Sequence, residues 1–192
     1  MPENPTLPGR LVVISAPSGA GKTTIARAML ERFPSLSFSV SATTRSRRAG
    51  EVEGRDYVFL SKPEFQRRFV VQEFVEWEEI YGNYYGTLKA EIDRAVRERR
   101  DLLFDIDVKG GLSIKRQYPG ALLIFICPPT IDALRQRLQA RKTEDASTLA
   151  RRMERVGMEM ELGRSYDHTC INDDLDRAMA EVQQIVKSYL TT

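Results

Sequence analysis

The chain has 192 residues, 42% of them hydrophobic and 29% charged, enough for one domain with a buried core. Lysine and arginine total 29 against 27 acids, a formal net charge of +2, which argues against a polyanion binder that relies on bulk charge. One histidine, His168, and two cysteines, Cys127 and Cys170, are too few for a zinc cage, a disulfide framework or a Ser-His-Asp hydrolase, and no apolar run reaches the roughly 18 residues of a membrane span.

In chain order, residues 1 to 9 carry three prolines and no apolar segment, and are expected to form a flexible tail rather than a targeting signal. Leu11 to Ile14 is a buried-strand candidate, followed by a glycine-containing loop and an amphipathic helix over Lys22 to Phe33. From Leu36 to Tyr85 the rhythm changes: strand-like pieces (SFSV, DYVFL, FVEWEEIYGNYYG) with short loops and one brief helix over Pro63 to Phe69 predict an antiparallel insertion, a small second lobe over about 36–97. Helix Leu88 to Arg100, strands Leu102 to Phe104 and Ala121 to Cys127, and helices Ile131 to Arg141, Thr148 to Leu162 and Leu175 to Tyr189 complete the chain. The charged, aperiodic RKTEDAS over about 141–148 reads as a mobile lid. Strands alternating with helices define an α/β fold, a parallel-sheet core over about 10–35 and 98–192 flanked by helices, carrying a small mixed-β lobe and a mobile lid within a single domain.

The run LVVISAPSGAGKTTIARAML places a strand, a glycine loop and Lys-Thr-Thr at a helix start, the context of the phosphate-binding G-x-x-x-x-G-K-[ST] loop, with Ala16 in place of its first glycine. Gly19 and Gly21 allow the backbone to turn tightly and bring N–H groups to a phosphate at the positive end of the helix. Lys22 would reach between the β- and γ-phosphates, and the Thr23 hydroxyl would ligate Mg²⁺. The set that would hold a nucleoside triphosphate is therefore Ala16, Pro17, Ser18, Gly19, Ala20, Gly21, Lys22, Thr23 and Thr24.

A second unusual run, SATTRSRRAGEVEGRDYVFL, gathers Arg45, Arg47 and Arg48 beside Ser41, Thr43, Thr44 and Tyr57. Guanidinium forks among hydroxyls suit a dianionic phosphomonoester, although a solvated basic loop has the same composition. TTRSRRAGEVEGRDYVFL resembles the signature of guanylate kinase. FVEWEEIYGNYYGT (Phe74 to Thr87), LFDIDVKGG (Leu103 to Gly111) and CINDD (Cys170 to Asp174) are similar to that family as well, and the likeness runs from about Arg10 to Tyr189.

The resemblance implies ATP-dependent phosphorylation of GMP and dGMP in purine nucleotide metabolism and GMP recycling. In residue terms it implies that Ser41, Arg45, Arg48, Tyr57 and Tyr85 hold the GMP phosphate and that Glu76, Thr87 and Asp107 read guanine. An ionised carboxylate is an acceptor-only partner for the adjacent N–H donors of guanine, which adenine lacks. It implies further that Arg141 and Arg152 flank the lid and join Lys22 and Arg45 as the catalytic cations, and that Asn172 lines the adenine pocket. Asp105 and Asp107 end an apolar strand, where alternation would set both on one face, and the family match has Asp105 orient a metal-bound water. Lys109 stands where the family pattern has glutamine. Cys127, Cys170 and His168 read as structural.

The implied partners are ATP and GMP with Mg²⁺, and neither nucleic acid nor membrane; the implied setting is a cytoplasmic monomer or weak homo-oligomer. Two alternatives remain on the residues alone: a kinase of the same fold acting on another phosphorylated acceptor such as a sugar phosphate, and a non-catalytic phosphopeptide-binding module of the same family. A GTPase would need an N-K-x-D-like guanine-reading run, which is missing.

Overall fold

A computed structural model describes residues 9–140 and 146–191. Its elements are β1 (Leu11–Ser15), α1 (Lys22–Arg32), β2 (Leu36–Phe38), β3 (Ala42–Thr43), β4 (Val58–Phe59), α2 (Lys62–Val70), β5 (Phe74–Ile80), β6 (Asn83–Leu88) and α3 (Lys89–Glu98). There follow β7 (Asp101–Asp105), α4 (Val108–Gln117), β8 (Leu122–Cys127), α5 (Ile131–Ala140), α6 (Ala146–Gly163), β9 (His168–Ile171) and α7 (Leu175–Thr191). Of the expected tail (1–9) and lid (about 141–148), residues 1–8 and 141–145, Arg141 among them, lie outside the described residues, whereas 146–148 are not an aperiodic segment but the start of α6.

The core is a five-stranded sheet in the order β2-β7-β1-β8-β9, with every pairing parallel. β1 lies at its centre and is buried along its whole length, as LVVIS requires of a strand covered on both faces. Alternation divides its side chains: Val12 and Ile14 pack with Ile25, Met29, Leu134 and Val182 on one face, Leu11 and Val13 with Ile92, Phe104 and Ile114 on the other. The carboxyl ends of β1 and β7 lie side by side, with Ile14 in register with Asp105, so the loops that leave them open onto one crevice.

The lobe is a second sheet, β4-β3-β6-β5, in which β3 and β4 are parallel and the other pairs antiparallel. Ala42, Phe65 and Phe74 form its own small core, with the Phe65 and Phe74 rings stacked at 4.3 Å. Tyr81 and Gly82, at φ 51° and 78°, turn β5 into β6 through two left-handed residues, the backbone that matches the twist of a two-residue hairpin.

Two further expectations are corrected. Leu36–Phe38 pairs in parallel with Asp101–Leu103, so the SFSV piece begins in the core sheet, not in the lobe. The lobe sheet is mixed, as expected: β4 runs alongside β3 in the same direction, and the other pairs are antiparallel. Helix α4 was not expected, because Gly110 and Gly111 lower the helical propensity of VKGGLSIKRQ. It forms because Asp107 caps it, accepting N–H bonds from Lys109 (2.9 Å) and Gly110 (3.2 Å), and because a Cβ at Gly111 would overlap the Tyr166 hydroxyl. Among the described residues no helix is long and apolar enough to cross a membrane.

Candidate active site

The loop between β1 and α1 takes the shape its glycines allow. Gly19 and Gly21 have φ of 93° and 96°, and Gly21 is the N-cap of α1 with no side-chain bond to the first turn, whose N–H groups face the loop. The non-glycine residues of positive φ among the described residues are Gln72, Tyr81 and Arg99, so Ala16 stands in ordinary backbone space and its replacement of glycine carries no conformational strain. Ser15 anchors the loop's start to the exit of β7, donating to the Ile106 carbonyl at 2.9 Å while the Tyr166 hydroxyl donates to Ser15 Oγ at 2.8 Å. Asn172, expected in an adenine pocket, is buried, and its Nδ2 donates to the Ala20 carbonyl at 2.8 Å, so its amide braces the loop from behind.

Lys22 Nζ lies 2.6 Å from Asp105 Oδ1 and donates to the Ile106 carbonyl at 3.1 Å. Burial works against its charge, but the Asp105 carboxylate, by charge and by hydrogen bond, more than offsets this and raises the ammonium above its ordinary value. The Thr23 hydroxyl donates to Asp105 Oδ2 at 2.9 Å. A hydroxyl and a carboxylate side by side are the hard oxygen donors that Mg²⁺ takes. No group of three or more His, Cys, Asp or Glu suited to a metal occurs among the described residues. With Thr23 and Asp105 as its protein donors, an octahedral Mg²⁺ would take its remaining ligands from phosphate and water.

Across the crevice a cleft of about 140 Å³ is lined by Lys22, Ser41, Tyr57, Glu76, Tyr85, Asp105 and Asp107. It adjoins a wider one of about 380 Å³ that shares Tyr57 and Asp105 and is lined by Thr23, Arg45, Arg48 and Glu51. The Tyr57 and Tyr85 rings meet edge to face at 6.3 Å, and the Arg45 guanidinium stacks over Tyr57 at 5.3 Å. The Arg45 fork is engaged by Glu51 through bonds of 2.7 and 3.1 Å, and the Arg48 N–H donates to the same carboxylate at 2.7 Å. Those bonds hold the Glu51 carboxyl below its usual range. Glu51 was not singled out in the sequence; its place six residues after Arg45 was the available signal.

Glu76 reaches the cleft because β5 is irregular. A register shift between Phe74 and Glu76 leaves Phe74, Val75 and Glu76 all buried in place of alternation, and sets Glu76 opposite Thr87. The Thr87 hydroxyl donates to Glu76 Oε1 at 2.7 Å. Burial pushes the Glu76 carboxyl up to about 7, against the Thr87 bond and with the Asp107 charge adding to the rise. α4 presses close behind: a Cβ built on Gly110 would lie 2.6 Å from Glu76 Oε2. Asp107 lines the cleft, but it is not a strand residue. β7 ends at Asp105, and Oδ1 of Asp107 is spent on the cap of α4, because two N–H groups at a helix start are stronger partners than another turn of sheet.

From α6, Arg152 Nη1 donates to Ser18 Oγ at 3.0 Å, and its guanidinium lies 5.9 Å from the centre of the Tyr81 ring. Arg141 lies outside the described residues. Thr24 is exposed at the start of α1. Arg155, Lys109, Glu78 and Glu159 form a cluster beside Asp107 that the sequence did not reveal. Burial raises both thiols, Cys170 to about 12, which keeps them protonated core groups, and His168 is exposed.

A phosphate loop with its lysine and threonine, facing a separate lobe that presents arginines, tyrosines and a buried carboxylate, is the arrangement of a P-loop phosphotransferase with a distinct acceptor pocket. A guanylate kinase family model matches residues 8–189. The chain is 45% identical over 186 residues to a guanylate kinase of Symbiobacterium thermophilum, covering 97% of this chain and 87% of the relative. It is 48% identical over 185 residues to that of Chlorobium luteolum, covering 96% and 94%. Among solved structures it is similar to guanylate kinase from Anaplasma phagocytophilum, with a TM-score of 0.75 and 29% identity over 94% of this chain and 85% of that one. The chain belongs to the guanylate kinase family and is an enzyme of that family.

Proposed function

We propose that the enzyme transfers the γ-phosphoryl group of ATP to the phosphate of GMP or dGMP, with Mg²⁺, as a cytoplasmic monomer or weak homo-oligomer. The observation that carries this reading is that one cleft of about 140 Å³ is lined both by Lys22 of the phosphate loop and by Glu76 and Asp107. Two carboxylates there match the adjacent N1–H and N2–H donors of guanine, and a buried carboxylate left unpaired by another base is costly. Such bonds can discriminate by about 10⁴-fold or more. A sugar phosphate would likewise leave Glu76 with its Thr87 bond alone.

The acceptor phosphate, with a second pKa near ~6, is mostly ionised at neutral pH, so its oxygen attacks the γ-phosphorus without a general base. The bond from that phosphorus to the β–γ bridging oxygen breaks in line, and ADP departs with the electron pair. Catalysis then consists of bringing two polyanions together and neutralising the transferred group. Lys22 would exchange Asp105 for the β- and γ-phosphates. Arg45 would exchange Glu51 for the GMP phosphate, with Arg48, Ser41, Tyr57 and Tyr85 fixing its orientation. Arg152, already beside Ser18, would reach the γ-phosphate, joined by Arg141. Mg²⁺, held by Thr23 and, through water, by Asp105, would supply charge neutralisation at the β- and γ-oxygens.

The test is a panel of GMP, dGMP, AMP, CMP, UMP and a hexose phosphate with ATP and Mg²⁺, scored by ADP release. Turnover with the guanine nucleotides alone is expected; equal turnover with AMP or with the sugar phosphate would overturn the assignment.

A further inference from the structure

Among the described residues, a cluster of largely buried charges lies where three elements meet: β5 of the acceptor lobe, the start of α4 in the core, and α6. One guanidinium, Arg155, faces three carboxylates there. Its Nε bonds Glu159 Oε1 at 2.8 Å, its Nη1 lies 3.5 Å from Glu78 Oε1, and its Nη2 lies 4.0 Å from Asp107 Oδ1. Lys109 Nζ lies 3.1 Å from the same Glu78 oxygen. The side chains of Arg155 and Glu78 are each 16% exposed, and that of Asp107 is 11% exposed, so these charges interact with little screening and cost much if separated. Nη2 is buried and makes no hydrogen bond among the described residues, a donor aimed at Asp107 from just beyond bonding distance.

Arg155 is one turn from Arg152 on the same helix face, since residues three apart are neighbours. Arg152 touches both the phosphate loop, at Ser18, and the tip of the lobe hairpin, at Tyr81. Glu78 and Tyr81 belong to that same hairpin arm. The helix is thus fastened to the lobe at two points one turn apart, one electrostatic and one aromatic.

We propose that Arg155 is a positioning residue for phosphoryl transfer: by clasping Glu78 and closing on Asp107 when the base is bound, it sets the face of α6 that presents Arg152 to the phosphate loop, so that occupancy of the acceptor site and placement of the transferring arginine are coupled. The proposal rests on the roles of Asp107 and Arg152 given above. It requires no new ligand; it requires that GMP raise the affinity for ATP and that this coupling pass through the Arg155–Glu78 pair, with the reciprocal effect of ATP on GMP.

The experiment uses the full chain and measures the affinity of a non-hydrolysable ATP analogue with and without saturating GMP, together with kcat and both KM values. The set comprises the parent, Glu78→Gln, Arg155→Gln, their double variant, Arg155→Lys and Arg152→Met. GMP is expected to tighten the analogue about tenfold in the parent. In Arg155→Gln and in Glu78→Gln this enhancement is expected to vanish and kcat to fall about tenfold, while the affinity for GMP alone stays within about threefold. The double variant should be no worse than either single one, and Arg155→Lys should recover part of the coupling. Melting temperatures identify a variant that fails to fold, and Glu78→Gln, at the other end of the same pair, then decides. No enhancement by GMP in the parent, or an enhancement that survives both single substitutions, would overturn the proposal. Arg152→Met separates the two levels: if it loses turnover while Arg155→Gln keeps its coupling, the clasp is wrong and the site reading stands; if it keeps full turnover, the site reading fails and takes the clasp with it.

Discussion

Lys22 and Asp105 form an ion pair of 2.6 Å across the crevice between the phosphate loop and the end of β7, and the same carboxylate accepts the Thr23 hydroxyl at 2.9 Å. The loop's cation is therefore aimed and kept charged by a group that a phosphate can replace, which costs less reorganisation than drawing a free lysine in from solvent.

Replacing Lys22 with methionine is expected to lower turnover by about 10²–10³-fold, because charge neutralisation at the transferred group is lost. GMP affinity should stay within about twofold, since Lys22 would meet the donor phosphates. A coupled ADP-release assay and calorimetry with GMP measure the two quantities, and a near-normal rate would refute the loop's role.

Glu76 gives a pH signature. Its carboxyl is raised by burial from 4.5 to about 7, so the folded enzyme holds a proton that the unfolded chain has released, and unliganded stability falls as pH rises between those values. That loss is at most on the order of 3 kcal/mol. Guanine needs the ionised form, so GMP affinity should rise with pH through about 7. Glu76→Gln should flatten both trends and weaken GMP by about 10²-fold or more. The acceptor phosphate titrates nearer ~6, so any change that persists in the variant belongs to it. Thermal melts from pH 5 to 8 and GMP titrations over the same range check the signs.

Arg45→Met should weaken GMP by about 10²-fold and leave the KM for ATP within about twofold, because a charge-assisted fork is lost on the acceptor side alone. Glu51→Gln, which frees the fork from its bonds of 2.7 and 3.1 Å, should change GMP affinity far less, since the arginine it would otherwise orient stays stacked on Tyr57. Equal losses for both nucleotides in Arg45→Met would count against the site map.

Gly110→Ala tests the fit of α4 against the base site. Alanine within a helix usually gains about 1 kcal/mol over glycine, but here its methyl would lie 2.6 Å from Glu76 Oε2. The expected outcome is no gain in melting temperature and a GMP KM raised about tenfold, with the KM for ATP unchanged; a stabilised enzyme of normal KM would show that Glu76 yields freely.

Much of this was written locally in the chain. The parallel core follows from apolar runs such as LVVIS and LLIFIC, which no solvated strand would carry, and the phosphate loop follows from glycines at the two positions that take positive φ. What depended on distant partners was not legible. SFSV looks like a piece of the lobe until Leu36–Phe38 finds Asp101–Leu103, and VKGGLSIKRQ is a poor helix until Asp107 caps it and Tyr166 fills the space that Gly111 leaves. Asn172 beneath the loop, 152 residues from the Ala20 carbonyl it holds, is a contact that spacing does not encode. The sequence by itself determined the class of chemistry, because phosphate cradles and arginine forks are made of adjacent residues. Only the tertiary structure decided that Glu76 is buried, that Asp107 serves a helix as well as the cleft, and that Arg155 faces three carboxylates, because burial and charge pairing are set by elements that lie far apart along the chain and meet only on folding.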